Sequence, residues 1–130
     1  MKSLFFSHTG RINRAKFWFA TACQMACLFS LVSVVAFLLE AHPEDAVGAT
    51  QIVLVLVGTL TFIVAAYSAI CIGVKRFHDR DKPGIWVLVQ LVPAIGSLWY
   101  FIETGFLAGT SGQNSYGEDP LVSNRLNGSQ

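Results

Sequence analysis

The sequence predicts an all-α membrane protein with three transmembrane helices, the third of which is kinked or broken at residues 93–96, from Pro93 to Gly96. Hydrophobic residues make up 53% of the chain and charged residues only 13%, whereas an average soluble domain carries about 25% charged residues. The nine lysines and arginines fall into two clusters and one isolated residue. Between the clusters lie uncharged stretches that are long enough, as helices, to cross a hydrocarbon core of about 30 Å.

The length of 130 residues supports one domain. We assign residues 1–121 to a single integral membrane domain and the polar residues 122–130 to a disordered tail. Three cysteines lie inside apolar stretches, and their odd number argues against a disulfide framework. We therefore expect Cys23, Cys27 and Cys71 to serve as small apolar packing residues.

The first predicted helix covers residues 17–39, an uncharged run of 23 residues. This run is too long for the apolar region of a signal peptide, and no cleavage site of small residues follows it, so we expect the helix to be retained. The second predicted helix covers residues 50–74, inside an uncharged run that begins at residue 46.

The third predicted helix covers residues 85–107 and follows Pro83 and Gly84. Pro93 interrupts this helix, because proline lacks a backbone donor and clashes with the preceding turn. Either one kinked helix crosses the membrane here, or two half-helices form a re-entrant hairpin. The sequence favours the kinked helix, and the hairpin remains the alternative.

The basic residues predict the orientation of the chain in the membrane. Four of them precede the first helix, none lies in residues 40–45, and four more lie in residues 75–84. Because short loops rich in Lys and Arg stay in the cytoplasm, we expect a multi-pass protein with a cytoplasmic amino terminus. Residues 40–45 then lie outside, residues 75–84 lie inside, and three spans place the carboxy-terminal tail outside.

Small residues recur every four positions in the first two predicted helices: Ala22, Ala26 and Ser30, then Ala65, Ala69 and Gly73. Such stripes let helix backbones approach closely inside a lipid bilayer. Besides the bilayer itself, we expect further copies of this chain or another membrane protein as partners. The net charge of +1 gives no reason to expect a nucleic acid.

Three polar segments are candidates for a ligand or partner site. Residues 5–18 mix aromatic and basic side chains, which is typical of an interfacial anchor but also suits a ligand. Residues 109–120 are rich in turn-forming residues, whose backbone amides can bind anions, although no Walker lysine pattern and no preceding strand accompany them. Either turns alone or a binding loop would give this pattern.

Residues 75–84 form the second and chemically richest of these segments. His78 could act as a base that Asp79 orients, but metal phosphohydrolases with adjacent His and Asp need several more ligands. A helix end with paired charges is the alternative. The candidate ligand or partner residues of the three segments are Arg11, Arg14, Arg76, His78, Asp79, Asn114, Tyr116 and Asp119. We predict no catalytic set, no metal site and no cofactor.

Three polar residues lie within the apolar runs, namely Gln24, Gln90 and Glu103. Polar and ionisable groups inside a membrane are candidates for function. Glu103 lies near the end of the third predicted helix, so a position at the membrane surface is the alternative for it.

Four motifs in this order resemble the domain of unknown function 805 family of small bacterial inner-membrane proteins. They are GRINR at 10–14 with Phe17 and Trp18; RFHD at 76–79 with PGIW at 83–86; PAIG at 93–96; and, within residues 109–120, Gly109, Thr110, Gly112, Asn114, Tyr116, Gly117, Asp119 and Pro120. The resemblance covers roughly residues 3–121 and implies a bacterial inner-membrane location, but it implies no activity. The chain departs from the family pattern at Ser111, where Pro is frequent, at Ser115, where Arg is common, and at Pro83, where a small polar residue is usual. The absence of Arg at position 115 weakens the interpretation of the last motif as an anion site.

We therefore predict an integral inner-membrane protein that acts as an interaction or envelope-associated component. One alternative is a subunit of a small oligomeric transporter or channel, suggested by the broken third segment with Gln90 and Glu103, although three helices are too few to enclose a pore. Another is a membrane enzyme that uses His78 and Asp79. An outside tail would keep the second and third polar segments a bilayer apart, whereas an inside tail would bring both to one face.

Overall fold

The computed structural model describes residues 5–41 and 48–122, and its regular elements are all helical. Helix α1 is Arg14–Ala41, helix α2 is Ala49–Asp79, a 3₁₀ helix is Gly84–Leu91, and helix α3 is Ile95–Gly105. Residues 42–45 of the segment predicted to lie outside, and the tail residues 123–130, are not among the residues that the structure describes. The division of the chain into a membrane domain and a tail stays a prediction.

Two helices are long and apolar enough to cross a membrane. They cover Arg14–Glu40 and Gln51–Asp79, and both have a mean hydropathy of 2.3. Their large apolar side chains point away from the protein, as shown by Phe29 and Phe37 of α1, which are 76% and 69% exposed. Such surfaces suit hydrocarbon better than water, and the predicted all-helical fold is confirmed with two candidate membrane spans.

The third predicted helix is broken, and a third span is not shown. The 3₁₀ helix has 8 residues and α3 has 11, so each is roughly 16 Å long and shorter than a hydrocarbon core. A methyl group added at Gly84 would lie 2.7 Å from Val74 Cγ1 of α2. At the far end of the segment, Thr104 O accepts a hydrogen bond of 2.7 Å from Arg76 Nε. Both ends therefore lie beside the last turns of α2, which corrects the preferred interpretation of one kinked helix over residues 85–107.

The reversal between the 3₁₀ helix and α3 occurs at Ala94. Ile95 N donates to Pro93 O over 2.7 Å, which closes a three-residue turn around Ala94, whose φ is 60° and ψ is −66°. A side chain at such a positive φ costs roughly 1–2 kcal/mol. Position 96 requires glycine, because any Cβ there would collide with the carbonyl oxygen of Val89.

Helix α2 extends beyond its predicted end at residue 74 and includes the RFHD motif as its last turn. The chain then turns at Arg80 and Asp81, and Lys82 N donates to Phe77 O over 3.0 Å. The segment predicted as a loop over residues 75–84 is therefore half helix. This places the side chains of Arg76 and Asp79 one helical turn apart, on the same face.

The two long helices pack at the end where α1 begins. Ile12, Phe17 and Ala20 form a buried cluster with Ile72 of α2, and Phe5 packs against it. In the predicted stripe of small residues on α2, Gly73 is buried against Tyr100 and Val87 of the hairpin formed by residues 84–105. The stripe on α1 is exposed along its whole length, at Ala22, Ala26 and Ser30.

Candidate functional site

The three predicted polar segments meet at one end of the protein, between the start of α1 and the end of α2. We call the group that joins them the polar cluster; it consists of Arg11, Arg76, Asp79, Thr110 and Asn114. The segments contribute from positions far apart in sequence, and the hairpin formed by residues 84–105 brings the last of them back to the end of α2.

Asp79 lies at the centre of the polar cluster. Its Oδ1 accepts a hydrogen bond of 3.2 Å from Arg11 Nε, and its Oδ2 pairs with Arg76 Nη1. The side chains of Arg11, Arg76 and Asp79 are 1%, 0% and 5% exposed. Because a buried charge is tolerated only when it is paired and hydrogen-bonded, these three groups depend on one another.

Arg11 also holds the loop that follows α3. Its Nη2 donates to Thr110 O over 2.6 Å, and its Nη1 donates to Gly112 O over 2.6 Å and to Gly117 O over 3.1 Å. Arg11 therefore uses its rigid fork of donors to bind three carbonyl oxygens and one carboxylate.

Arg76 binds the end of α3. Its Nε donates to Thr104 O over 2.7 Å, and its Nη2 donates to Leu107 O. The last carbonyl groups of a helix have no partner within the helix, and a cation there also interacts favourably with the helix dipole. Arg76 is thus a cap for α3 in addition to a partner of Asp79.

The loop in turn caps α2. Thr110 donates to Asp79 O twice, from its backbone N over 2.8 Å and from Oγ1 over 3.0 Å. Asn114 Nδ2 donates to His78 O over 2.8 Å and to Thr110 Oγ1 over 2.9 Å. Gly109 has no room for a side chain, because a Cβ there would collide with the carboxylate of Asp79.

His78 packs beside the polar cluster and is stacked on Tyr116. The two ring centroids are 3.9 Å apart and the planes differ by 5°. His78 Nδ1 lies 3.3 Å from Gly10 O, while the carboxylate of Asp79 bonds to the two arginines. The structure does not form the base and orienting carboxylate that the sequence suggested.

Glu103 belongs to a separate group of charges. Its Oε1 pairs with Arg80 Nε at 2.8 Å and with Lys82 Nζ, and Lys82 Nζ lies 5.0 Å from the centroid of the Trp99 ring. Glu103 thus lies at the end of the hairpin beside the basic residues that follow α2, and its predicted position at the membrane surface stays a prediction.

The three polar residues of the apolar runs do not come together. Gln24 Nε2 donates to Ala65 O, which joins α1 to α2. Gln90 is exposed on the 3₁₀ helix, and Glu103 is buried in its ion pairs. Among the described residues, these three therefore form no shared polar path.

Two predicted site residues lie at the border of the polar cluster. Asp119 accepts hydrogen bonds from Gly112 N over 3.1 Å and from Leu121 N over 2.8 Å, through different carboxylate oxygens. Arg14 is exposed and donates from Nη1 to Phe106 O over 3.0 Å. The functional roles of all eight predicted residues stay predictions.

Sequence reasoning missed three residues that hold this site together. Thr110 and Gly109 lie within the last motif, and their individual roles depend on contacts with Asp79 that no local pattern reveals. Trp18 Nε1 donates to Gly105 O over 3.1 Å. The pairing of Trp18 with Phe17 in the first motif was the available signal for this contact.

A cavity of about 340 Å³ opens beside the polar cluster. It is lined at the start of α1 by Asn13, Arg14 and Ala15, and on the other side by Arg76, Asp79, Asp119, Leu121 and residues 108–111. Within residues 5–41 and 48–122, no group of three or more His, Cys, Asp or Glu side chains could hold a metal ion.

The sequence of this chain is similar to those of bacterial proteins, two of which are named inner membrane proteins. The sequence profile of a family described as "Protein of unknown function (DUF805)" matches residues 5–118. The chain is 28% identical to "Inner membrane protein YhaI" of Escherichia coli (strain K12) over 113 residues, which cover 86% of this chain and 84% of that protein. It is 29% identical to "Inner membrane protein YhaH" of the same strain over 118 residues, which cover 87% and 86%. It is 22% identical to "Uncharacterized protein YiiR" of the same strain in an alignment of 138 positions, which covers 88% of this chain and 86% of that protein. No solved structure gives a significant match.

Proposed function

We propose that this chain, which belongs to the DUF805 family, is a non-enzymatic interaction component of the bacterial inner membrane. Two of its relatives are named inner membrane proteins, and its two long helices are apolar enough to span a bilayer. The proposal adds a role to this location: the polar cluster fixes one face of the protein, and the lipid-facing helices bind a second copy or another membrane protein.

One observation carries the proposal, namely that the buried charged groups of the first two motifs, Arg11, Arg76 and Asp79, bond to one another. Arg11 and Arg76 both bond to Asp79, and each also bonds to backbone carbonyl oxygens of the hairpin or of the loop after it. Because their hydrogen-bonding groups are occupied in this way, these side chains are not free to bind and turn over a substrate. The same bonds hold the ends of α1, α2 and α3 rigidly together.

The proposed topology has two spans and a re-entrant hairpin, with both chain ends in the cytoplasm. The loop over residues 109–119 contacts the end of α2, so these two segments lie on one side of the membrane. The basic residues of the segment 75–82 favour the cytoplasm for that side. Leu91 and Ile95 near the hairpin tip are 74% and 78% exposed, which suits insertion into hydrocarbon.

Self-association through α1 accounts for the exposed stripe of small residues. Ala22, Ala26 and Ser30 lie one turn apart and are exposed, so a second helix could approach this backbone closely. Two long helices bury little surface against each other inside one chain, as shown by the strongly exposed Phe29 and Phe62. A second copy is the first partner to test, and another membrane protein is the alternative.

The enzyme and transporter alternatives have less support. The imidazole of His78 stacks on Tyr116 rather than contacting Asp79, so a base with an orienting carboxylate is missing. Glu103 pairs with Arg80 and Lys82 and is not joined to Gln24 or Gln90, so the described residues show no polar path along the helices.

Paired carboxy-terminal reporters test the proposed topology. One reporter is active only in the cytoplasm and the other only outside it, and each is fused after Gln130. We expect activity from the cytoplasmic reporter alone. A matched pair of fusions after residue 45, between the two spans, should show the opposite pattern. An outside tail would contradict the re-entrant hairpin.

Disulfide cross-linking in membranes tests self-association. In a chain whose three native cysteines are replaced by Ala, a single cysteine at Ala26 should yield covalent dimers. A cysteine at the neighbouring Met25, which is 58% exposed but points about 100° away around the helix, is the matched control and should yield far fewer. Equal yields at both positions, or none at Ala26, would contradict association through this face.

A further inference from the structure

We infer that the cavity at the start of α1 binds a phosphate group at the membrane surface, such as that of a phospholipid headgroup. This inference goes beyond the proposed function, because it requires neither self-association nor a protein partner. The volume of about 340 Å³ lies near the lower end of the range for small-molecule sites, roughly 300–1,000 Å³. It suits a compact polar group rather than an extended ligand.

The cation that points to a phosphate is Arg14. The guanidinium groups of Arg11 and Arg76 donate hydrogen bonds to other groups of the protein. The guanidinium of Arg14 makes one hydrogen bond, from Nη1 to Phe106 O. Within the described part of the chain, its Nε and Nη2 have no hydrogen-bond partner. Arg14 is exposed and lines the cavity, and a guanidinium binds phosphate oxygens through two parallel donors.

Neutral donors complete the lining. Asn13 Oδ1 accepts from Lys16 N over 2.9 Å, which leaves the amide of Asn13 as the donor group on this wall of the cavity. Ser111 lines the opposite wall and is exposed. A phosphate held between these walls would receive hydrogen bonds from both in addition to the charge of Arg14.

Two carboxylates also line the cavity, and both are held by bonds to the protein. Asp79 lies between Arg11 and Arg76. Asp119 accepts backbone hydrogen bonds from Gly112 N and Leu121 N. Counting Arg11 with its partner, three arginines face two carboxylates, so the site keeps a net positive charge.

The position of the cavity favours a lipid over a free phosphate compound. Phe17 begins the uncharged apolar run of α1 only one helical turn beyond Arg14, so the cavity lies at the level of the headgroups. Trp18 contacts Phe106 with ring centroids 6.1 Å apart, and tryptophan favours that level. Leu121 at the rim and the exposed apolar face of α1 would contact the acyl chains of a lipid whose phosphate occupies the cavity.

Lipid binding by the purified full-length protein tests this inference. The protein in detergent is titrated with phosphatidylglycerol, with diacylglycerol of the same acyl chains, and with inorganic phosphate, and bound lipid is counted by native mass spectrometry. We expect phosphatidylglycerol to bind and diacylglycerol not to bind. Arg14→Gln should weaken phosphatidylglycerol binding about tenfold, as expected for loss of charged hydrogen bonds. Lys16→Gln, which removes the same charge from the same helical turn outside the cavity, should change it less than about twofold.

A second variant, at an exposed position, tests the site in case Arg14→Gln impairs folding. Ser111→Glu places a carboxylate at the exposed rim of the cavity and should also weaken phosphatidylglycerol binding. Competition by inorganic phosphate at millimolar concentration would support the phosphate site but assign it to a free phosphate compound. Equal binding of diacylglycerol and phosphatidylglycerol would overturn the inference, and so would equal weakening by Arg14→Gln and Lys16→Gln.

Discussion

The phenol ring of Tyr116 stacks on the imidazole of His78, with centroids 3.9 Å apart and planes 5° from parallel. The two residues belong to segments that the hairpin over residues 84–105 separates in sequence. Three membrane spans would place a hydrocarbon core of about 30 Å between them. This pair therefore requires the loop after α3 to return to the same side as the end of α2.

If His78 acts through stacking and not through proton transfer, an aromatic hydrocarbon ring can replace it. We expect His78→Phe to keep the free energy of unfolding, and any cellular phenotype of the gene, close to wild type. His78→Ala should lower that free energy by about 1 kcal/mol beyond the loss of buried area, since aromatic pairs contribute roughly 0.5–1.5 kcal/mol. Unfolding by titration with SDS in mixed micelles measures both variants.

Substitutions of Tyr116, the other ring of the stack, provide a matched pair of variants. Tyr116→Phe should be neutral and Tyr116→Ala destabilising, by an amount that does not add to that of His78→Ala in the double variant. If His78→Phe abolished function while its stability stayed normal, the imidazole would be chemically active and the proposed function would be wrong.

Replacement of Asp79 by Asn should be the most damaging polar substitution in the chain. Asn keeps the size of the side chain but removes the charge that both Arg11 and Arg76 face, and these arginine side chains are 1% and 0% exposed. Breaking a buried ion pair by removing one partner costs about 3–5 kcal/mol. The free energy of unfolding in mixed micelles should fall by that amount.

Glu118→Gln is the control for Asp79→Asn. It removes one negative charge from the same end of the protein, but Glu118 is exposed, so the change should stay within about 0.5 kcal/mol. Similar losses in the two variants would mean that general charge, and not the polar cluster, stabilises this end.

A methyl group added at Gly109 should displace the carboxylate of Asp79. The added Cβ of Gly109→Ala would collide with the Asp79 side chain and lie 2.9 Å from Asp79 O. The carboxylate must then leave its arginines or the loop must move, and overpacking of this kind costs about 1–3 kcal/mol. Limited proteolysis of residues 109–120 should also become faster.

Gly58→Ala is the matched control, because nothing lies within 4 Å of its added Cβ. Gly58 lies inside α2, where Ala is favoured over Gly by roughly 0.5–1 kcal/mol. The two substitutions should therefore change stability in opposite directions. A neutral Gly109→Ala would show that the loop does not approach Asp79.

The sequence predicts the two long helices because their signal is local and continuous. Every residue from Phe17 to Leu39 is uncharged, and the length of such a run alone decides whether it can cross a bilayer. The end of α2 is harder to predict, because Lys75, Arg76 and Asp79 look like a polar loop. They remain helical because Arg11 supplies the positive charge that pairs with Asp79, and because Thr110 and Asn114 of the loop after α3 donate to the last carbonyl groups of the helix, which have no partner within it.

Four of the five residues of the polar cluster, all except Thr110, could be predicted as candidates, but their arrangement could not. Arg11 and Asp79 are 68 residues apart, so their contact depends on the course of the whole chain between them. That course depends on one segment, residues 85–107, for which the sequence leaves two interpretations open. The choice between them decides whether His78 and Tyr116 can meet, which is why the site could not be assembled before the fold was known.

Replacement of Ala94 by Gly distinguishes these two interpretations by the sign of its effect. In the hairpin, Ala94 has a φ of 60°, a conformation that glycine adopts without strain, so Ala94→Gly should raise the free energy of unfolding by about 1 kcal/mol. In a continuous kinked helix the same substitution would lower it by about 1 kcal/mol, because glycine is a poor helix former. Ala69→Gly, at an exposed position within α2, is the control and should lower it by that amount. If both substitutions destabilised the protein equally, Ala94 would be helical, the hairpin would be wrong, and the tail would have no route back to His78.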